Sequence, residues 1–252
     1  MKRLLTLTML LAVLAYGAGL AQAANLLTNP DMDHIAISSQ LGATPLSWTA
    51  SSFKSATGVF NDGLSSEGFA NVNQPLGDCS GSGCGIFFKP FQGSLLDGTL
   101  TPPGPNLVSS VISQDVAGSA GSTYTLTGWA GAEANYIGRT DPTVKSQFIV
   151  QFLNASNTVI GSSTIDLNTL GLGTSGLPFG YAQYSVGGTA PAGTATVRSI
   201  AQMLNAYGNP AGGGQAFVVD SFDLEKSVPE PASIVLGLIA AVGMFGLARR
   251  QR

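Results

Sequence analysis

The body of the chain is marked by a period-two alternation of apolar and polar residues. Between 124 and 130, Tyr, Leu, Gly and Ala at the even positions alternate with Thr, Thr and Trp at the odd ones, and a second such segment covers 148–153. This period places successive side chains on opposite sides of an extended strand. The same reasoning predicts strands at 158–165, 194–204 and 217–224, with Gly- or Pro-rich loops at 98–106 and 205–214. The pattern predicts an all-β body.

The first 23 residues have a different character. Lys2 and Arg3 precede an apolar run over 4–20, and Ala21-Gln22-Ala23 follows it. A cationic start, an apolar middle and a small-residue exit are typical of a secretory signal peptide. We predict that residues 1–23 form a signal helix that is removed by signal peptidase, so that the chain is exported. A helix belonging to the folded core is the alternative.

A second apolar run, 232–248, lies near the other end. It follows Val228-Pro229-Glu230-Pro231 and precedes Arg249-Arg250-Gln251-Arg252. A helix of this length spans roughly 25 Å, near the short limit for crossing a bilayer, and the cationic tail would stay at the cytoplasmic face. The two prolines prevent helix at Glu230 and keep this segment extended. The sequence therefore predicts a C-terminal transmembrane helix.

These adjacent elements, over residues 228–252, resemble the PEP-CTERM sorting signal of Gram-negative bacteria. The resemblance implies that Pro229, Glu230 and Pro231 are recognised by an exosortase, which cuts the chain after transient anchoring in the inner membrane. It also implies a final place at the cell surface or in the extracellular matrix, because substrates of this kind usually accompany exopolysaccharide production. An ordinary C-terminal anchor, with Pro-Glu-Pro as a linker, is the alternative.

Between these two signals lies the segment 24–227. With 33 Gly and 13 Pro in the chain, many turns are available to join short strands. A segment of this length can build one substantial core, and we predict a single β-sandwich domain rather than two small domains.

Charge and histidine content exclude several functions. Apart from five basic residues at the two ends, the chain has six Lys and Arg against 14 Asp and Glu. This acidic balance offers no basic patch for phosphates, so nucleic acid is not expected as a partner. The single histidine, His34, leaves no basis for a His-rich zinc site or for a His-dependent nucleophile elsewhere in the chain.

Four segments of the body together resemble galactose-binding-like jelly rolls, the fold of many carbohydrate-binding modules. The segments are 25–33 (NLLTNPDMD), 112–116 with 121–126 (ISQDV and GSTYTL), 190–195 (APAGTA) and 217–224 (FVVDSFDL). Pro30 stands where the family usually has glycine, and residues 50–106 match no part of the pattern. The resemblance implies a jelly-roll sandwich.

In such jelly rolls a structural calcium ion often ties the first strand to the last. Calcium takes six to eight oxygen ligands at about 2.4 Å. The matching positions here are Asn29, Asp31, Asp33 and Asp220. The resemblance implies a calcium site at these residues. The alternative is that the acids cap turns or face water.

Two cysteines bracket a flexible segment. Cys79 and Cys84 enclose Ser80-Gly81-Ser82-Gly83. In an oxidising compartment this spacing favours a disulfide between them, and no neighbouring cation is present to make either thiol reactive. We predict a structural disulfide.

Aromatic residues supply the candidates for sugar binding, because ring faces pack on pyranose C–H groups. We select Trp129, Tyr136 and Trp48 as ligand-binding candidates, and Trp129 shares a strand face with Thr125 and Thr127. Further candidates, with possible polar partners, are Tyr181, Tyr184, Tyr207, Gln147, Gln151 and Asn135. The alternative is that these rings belong to the core.

No catalytic motif stands out. The acids are scattered singly, without the paired arrangement that glycoside hydrolysis needs. The sequence thus favours an exported, non-catalytic β-sandwich protein that binds carbohydrate in the envelope or exopolysaccharide matrix. A structural or adhesive protein that contacts protein partners or other copies of itself is the second hypothesis, and a polysaccharide hydrolase the third.

Overall fold

The computed structural model describes residues 24–38, 42–55, 58–59, 63–67, 83–93 and 106–227. These residues form an all-β structure in which three short 3₁₀ turns are the helical elements. The strands are β1 (Ile35–Ser38), β2 (Gly42–Pro45), β3 (Thr49–Lys54), β4 (Gly58–Val59), β5 (Leu64–Glu67), β6 (Gly85–Phe88), β7 (Val108–Ala117), β8 (Thr123–Ala132), β9 (Lys145–Leu153), β10 (Val159–Asp166), β11 (Ala182–Thr189), β12 (Thr196–Ala206) and β13 (Phe217–Ser227).

Two antiparallel sheets build the sandwich. The larger has the strand order β10-β9-β12-β7-β3-β4, and the smaller has the order β11-β8-β13-β6-β5. Strands β1 and β2 pair separately as a short ribbon. Because neighbours in each sheet come from distant parts of the sequence, the fold depends on long-range pairing rather than on local hairpins alone. The predicted all-β sandwich is confirmed.

The core lies between the two sheets and is rich in aromatic rings. Tyr124, Phe148, Phe217 and Phe222 are each 2% exposed or less. The ring of Phe222 lies 5.1 Å from that of Phe148, in an edge-to-face arrangement that is favoured between aromatic rings. Gly128 faces Phe222 directly, and a Cβ atom there would meet the ring at 2.5 Å. The alternation predicted for β8 is therefore real, and its even positions point into this core.

The beginning and end of the body are joined by backbone pairing. Leu26 N–H donates to Leu224 O at 2.9 Å, and Phe222 N–H donates to Pro30 O at the same distance. The Asn25 amide also donates to Phe222 O and accepts from Leu224 N–H. Residues 25–30 thus run beside the second half of β13 in the smaller sheet.

Five of the predicted strands are found, each within a few residues of its predicted bounds. Strand β7 contains the segment 112–116 that the jelly-roll resemblance includes, whereas β11 and the short strands before residue 89 lack a counterpart among the predictions. The predicted loop 98–106 lies outside the described residues except for residue 106. Ile149 and Leu153, placed opposite the core face, are buried as well, so the larger sheet is partly covered on its outer side.

The predicted terminal helices lie outside the described residues. Within the described part of the chain, no helix is long and apolar enough to span a bilayer. The domain boundaries 1–23, 24–227 and 228–252 remain predictions.

Candidate functional site on the outer face of the smaller sheet

Three neighbouring strands of the smaller sheet present their outward residues in register. Gln183, Trp129 and Asp220 form one row across β11, β8 and β13. The next two rows along the sheet are Ser185, Thr127 and Asp223, then Gly187, Thr125 and Glu225. One face therefore carries an indole ring, hydroxyl groups, an amide and carboxylates. We call these nine positions the Trp129 face.

Trp129 lies at one end of this face and is half-buried. It packs against a small apolar cluster on the same side of the sheet, separate from the core. We call this the outer aromatic cluster; its members are Phe87, Phe179, Tyr181, Ala216 and Val218. Part of the indole remains accessible to solvent.

The loop 171–181 closes that end of the face. Gly131 follows Trp129 by two residues, and a Cβ atom there would meet Phe179 O at 2.7 Å, so the loop lies directly on the strand. Within the loop, Gly180 has a φ of +59°, and a Cβ atom on it would collide with the backbone of Gly173. Glycine is required where backbones approach this closely. The loop forms a wall beside Trp129, with the rings of Phe179 and Tyr181 6.1 Å apart.

Asp220 is the buried carboxylate of the face. It is 1% exposed, and one of its oxygens accepts a hydrogen bond from Ser221 N–H at 2.6 Å. Burial raises the pKa of the Tyr181 hydroxyl well above its usual value, and the charge of Asp220 raises it further. Asp220 therefore supports the floor of the site, where a ligand cannot touch it.

Asp223 and Glu225 bring negative charge nearer to solvent. Both are half-buried, and Oδ1 of Asp223 is buried without a hydrogen-bond donor from the described residues. Desolvation, and then the neighbouring charge of Glu225, raise the pKa of Asp223 above its usual 3.8. Beside them, the hydroxyls of Thr127 and Ser185 lie 3.1 Å apart and form a hydrogen bond across β8 and β11.

The raised pKa of Asp223 predicts a pH-dependent stability. A carboxyl whose pKa is higher in the folded state binds its proton more tightly there than in the unfolded chain. The contribution of Asp223 to the free energy of unfolding is therefore largest below pH 3.8. That contribution is lost as pH rises through the raised pKa. We expect Asp223→Asn to be more stable than the wild type at pH 7, with the difference shrinking toward pH 3.5. Urea denaturation at both pH values measures it. An Asp223→Asn gain of equal size at both pH values would contradict this account.

A β-bulge brings the two aspartates to the same face. Asp220 pairs with Trp129 and Asp223 pairs with Thr127, so three steps along β13 match two steps along β8. Ser221, inside the bulge, has a φ of +48°. Strict alternation would place residues 220 and 223 on opposite sides of the sheet. The extra residue turns both outward.

Trp48 and Tyr136 prove to be core residues, contrary to their predicted role in ligand binding. Trp48 is 7% exposed, and its indole N–H donates to Asn29 O at 3.1 Å. Tyr136 is 1% exposed and its hydroxyl is hydrogen-bonded to Ser146 Oγ at 2.7 Å. Their polar atoms are satisfied inside the protein, which is what allows these rings to be buried.

The other sequence candidates do not gather around Trp129 to bind a ligand. Tyr184 and Tyr207 are 8% exposed, and Tyr207 donates to Asp141. Gln147 accepts from Gln202 on the larger sheet, which also carries Gln151. The Asn135 amide donates to Gly212 O. Tyr181 alone lies beside Trp129, as part of the wall.

Sequence reasoning missed Gln183, Ser185, Asp223 and Glu225 as site residues. Gln183 and Ser185 belong to β11, where polar residues alternate with Tyr184 and Val186. That alternation was the available signal. Nothing comparable marks Asp223, because its side of the sheet depends on the bulge.

The residues of the predicted calcium site make hydrogen bonds within the fold, and the site itself stays a prediction. The Asn29 amide donates to His34 O and Leu46 O, and its oxygen accepts from His34 N–H, so it closes a turn. Asp33 accepts from Cys84 N–H at 2.8 Å. In the described part of the chain, no three His, Cys, Asp or Glu side chains are placed to hold a metal ion, so Asp31, Asp33 and Asp220 form no such group.

Of the two cysteines predicted to form a disulfide, Cys84 is among the described residues. Cys84 is fully buried at the start of β6. Cys79 lies outside the described residues. The disulfide between them stays a prediction.

A cleft on the larger sheet is the competing location. It has a volume of about 380 Å³ and is lined by Ser47, Thr49, Ser113, Gln114, Asp115 and Arg198. Arg198 is held by Asp115 in a bidentate ion pair, with N···O distances of 2.6 and 2.8 Å. No aromatic ring lines the cleft, and its one cation is already paired. We therefore place the candidate site at the Trp129 face.

Comparison with known proteins identifies the end of the chain. Residues 227–252 match the family model described as the PEP-CTERM protein-sorting motif. The predicted sorting signal, with Pro229, Glu230 and Pro231, is thereby confirmed as a motif, although it lies beyond the described structure. No curated protein sequence matches the chain.

Several solved structures resemble the fold. The enzymatically active domain of bacteriophage CBA120 tailspike protein 4 is 12% identical, with a TM-score of 0.48; the match covers 81% of this chain but only 21% of the tailspike chain. The module TmCBM61, solved with β-1,4-galactotriose, is 13% identical with a TM-score of 0.43, and the match covers 81% of this chain and 100% of the module. A cyclase from Fischerella sp. TAU is 13% identical with a TM-score of 0.47, with 83% and 100% covered. No function is drawn from these likenesses.

Proposed function

We propose that this chain is an exported, non-catalytic protein of the cell envelope or exopolysaccharide matrix that binds carbohydrate through the Trp129 face. The PEP-CTERM motif indicates an exported protein that is sorted by an exosortase. The β-sandwich then meets the polymers outside the cytoplasm. The Trp129 face supplies the chemistry with which a protein holds a sugar.

The single observation that carries the proposal is the partly exposed indole of Trp129. The Gln183 amide lies beside it in the same row, and the Thr127 and Ser185 hydroxyls lie in the next row. An aromatic ring offers an apolar surface that matches the C–H groups of a pyranose, and it loses little entropy because few of its torsions are free. Thr127, Ser185 and Gln183 lie beside it and can exchange hydrogen bonds with sugar hydroxyls. The wall formed by loop 171–181 fixes where a sugar chain would end or turn.

The burial of Asp220 supports a non-catalytic role. Glycoside hydrolysis needs two carboxyl groups that flank the scissile bond. Asp223 is the nearest partner that the sheet offers, but Asp220 is 1% exposed and lies below the surface. The two carboxylates cannot both reach one substrate. Asp220 is therefore not available as one member of a hydrolytic pair on this face.

Replacing Trp129 by alanine tests this proposal. We expect Trp129→Ala to weaken glycan binding at least about tenfold, because truncating a central aromatic anchor typically costs about 2 kcal/mol. Binding is measured by affinity electrophoresis and by a glycan array with the purified full chain. Phe53→Ala is the matched control, since Phe53 is 41% exposed on the larger sheet and should leave binding unchanged.

Two results would redirect the assignment. If the wild-type chain retained no glycan and light scattering showed self-association, the structural or adhesive hypothesis would replace carbohydrate binding. If the chain released sugars from a polymer, the hydrolase hypothesis would return. Equal loss of binding in Trp129→Ala and Phe53→Ala would move the site away from the Trp129 face.

A further inference from the structure

The outward positions of the Trp129 face carry acids and no base. Asp220, Asp223 and Glu225 all belong to β13. In the three rows that contain them, no lysine or arginine occupies an outward position of β8, β11 or β13. Negative charge held near a surface of low dielectric extends over the neighbouring solvent. The rows that contain Asp223 and Glu225 therefore present negative charge without a lysine or arginine at the paired positions.

Two lysines of the smaller sheet lie off the rows that contain Asp223 and Glu225. Lys226 pairs with Tyr124 at an inward position, and its ammonium group donates to Ser119 Oγ at 3.0 Å. Lys89 follows β6. The row formed by Gly131, Val218 and Phe87 separates its position from the row of Trp129 and Asp220. Both lysines thus lie off the rows that contain Asp223 and Glu225.

We infer that the Trp129 face selects uncharged glycans and rejects polymers that carry uronic acid groups. The inference rests on the proposed function, and it names the class of ligand for that site. Its basis is charge complementarity. A uronate carboxylate needs an arginine or lysine beside it, whereas here it would approach Asp223 and Glu225 without a compensating cation.

The hydrogen-bonding groups of the face lead to the same class. Carboxylates only accept hydrogen bonds, and threonine and serine hydroxyls both donate and accept. The hydroxyls of a neutral sugar can donate to the carboxylates while its C–H face lies on the indole ring. Gly187 lies outward in β11 beside Thr125, where a Cβ atom would meet Tyr124 O at 2.9 Å, so no side chain stands between Thr125 and solvent on that strand.

The experiment compares neutral with acidic polymers. The full chain, purified in a mild detergent, is tested by affinity electrophoresis in gels that contain galactan, mannan or dextran, and in gels that contain polygalacturonate or alginate. We expect retention by at least one neutral polymer, and retention by the acidic polymers that is about tenfold weaker or absent at low salt. The difference should narrow as salt is raised, because ions screen exposed charges.

Paired variants locate the cause of the discrimination. Asp223→Asn combined with Glu225→Gln should increase retention by the acidic polymers, while Asp115→Asn, which removes one charge on the opposite sheet, should not. Retention that is equal or greater on the acidic polymers in the wild type would overturn the inference and leave carbohydrate binding standing. Absence of retention on every polymer would overturn both. An equal effect of Asp115→Asn and the double variant would also overturn the inference, because the cause would then lie outside the Trp129 face, in net charge or in Arg198 released from Asp115.

Discussion

Replacing Pro229, Glu230 and Pro231 together by alanine is expected to keep the full-length chain in the inner membrane. The PEP-CTERM motif spans residues 227–252, and its sequence has a proline on each side of Glu230, a residue type that disfavours helix. Alanine favours helix strongly and would let the apolar segment extend through the recognition site. We expect the released form of the protein to disappear and the membrane form to accumulate. Cell fractionation, with intact-mass measurement of the mature chain, measures this effect.

A proline elsewhere in the chain provides the control. Pro210 lies in an exposed loop of the body, and Pro210→Ala should leave sorting unchanged. If the triple variant produced the same mature mass and the same distribution as the wild type, the Pro-Glu-Pro segment would be a linker, and the apolar helix would be an ordinary anchor. The sorting part of the proposed function would then fail, while glycan binding would remain open.

Phe222→Ala is expected to cause the largest loss of stability in the described sandwich. The ring is 2% exposed and lies 5.4 Å from Trp48 and 5.1 Å from Phe148, so its removal leaves a cavity between the sheets. Gly128, which faces the ring from β8, has no side chain with which to fill that space. Removing a buried phenylalanine costs about 3–5 kcal/mol, a large part of the stability of a domain.

Urea denaturation followed by tryptophan fluorescence measures this loss, and Trp48 beside Phe222 should report it directly. Phe53→Ala is the matched control, because Phe53 is 41% exposed and removing it leaves no internal cavity. We expect the control to change the free energy of unfolding by about 0.5 kcal/mol or less. Comparable losses in the two variants would show that Phe222 does not organise the core as described.

Trp129 illustrates how much of the site could be predicted. Its odd position in the alternating segment 124–130 separates it from the core side chains, and the structure indeed places it on the outer side of β8. Trp48 and Tyr136 are chemically similar, yet both are buried. A single sequence does not show which segment will cover an aromatic ring, because that depends on residues distant in the chain.

The residues of the predicted calcium site also serve the fold. Asn29, Asp33 and Asp220 stand in the expected order along the chain, but each has a backbone partner that occupies at least one polar atom of its side chain. Such turns and bulges depend on local φ and ψ angles and on neighbouring strands. The calcium site therefore stays a prediction, and these side chains have a role in the fold whether or not an ion binds.

The sequence alone determined the class of structure and the sorting motif, because both depend on local features. Alternation at period two needs only neighbouring residues, and the sorting motif is read as a contiguous segment. The composition of the candidate site was decided by the tertiary structure. Strand β11 brings Gln183 and Ser185 beside Trp129, and the bulge at Ser221 turns Asp223 to the same side as Asp220. Long-range pairing and a one-residue shift in register act between distant parts of the chain, and for that reason only the folded structure reveals which side chains meet.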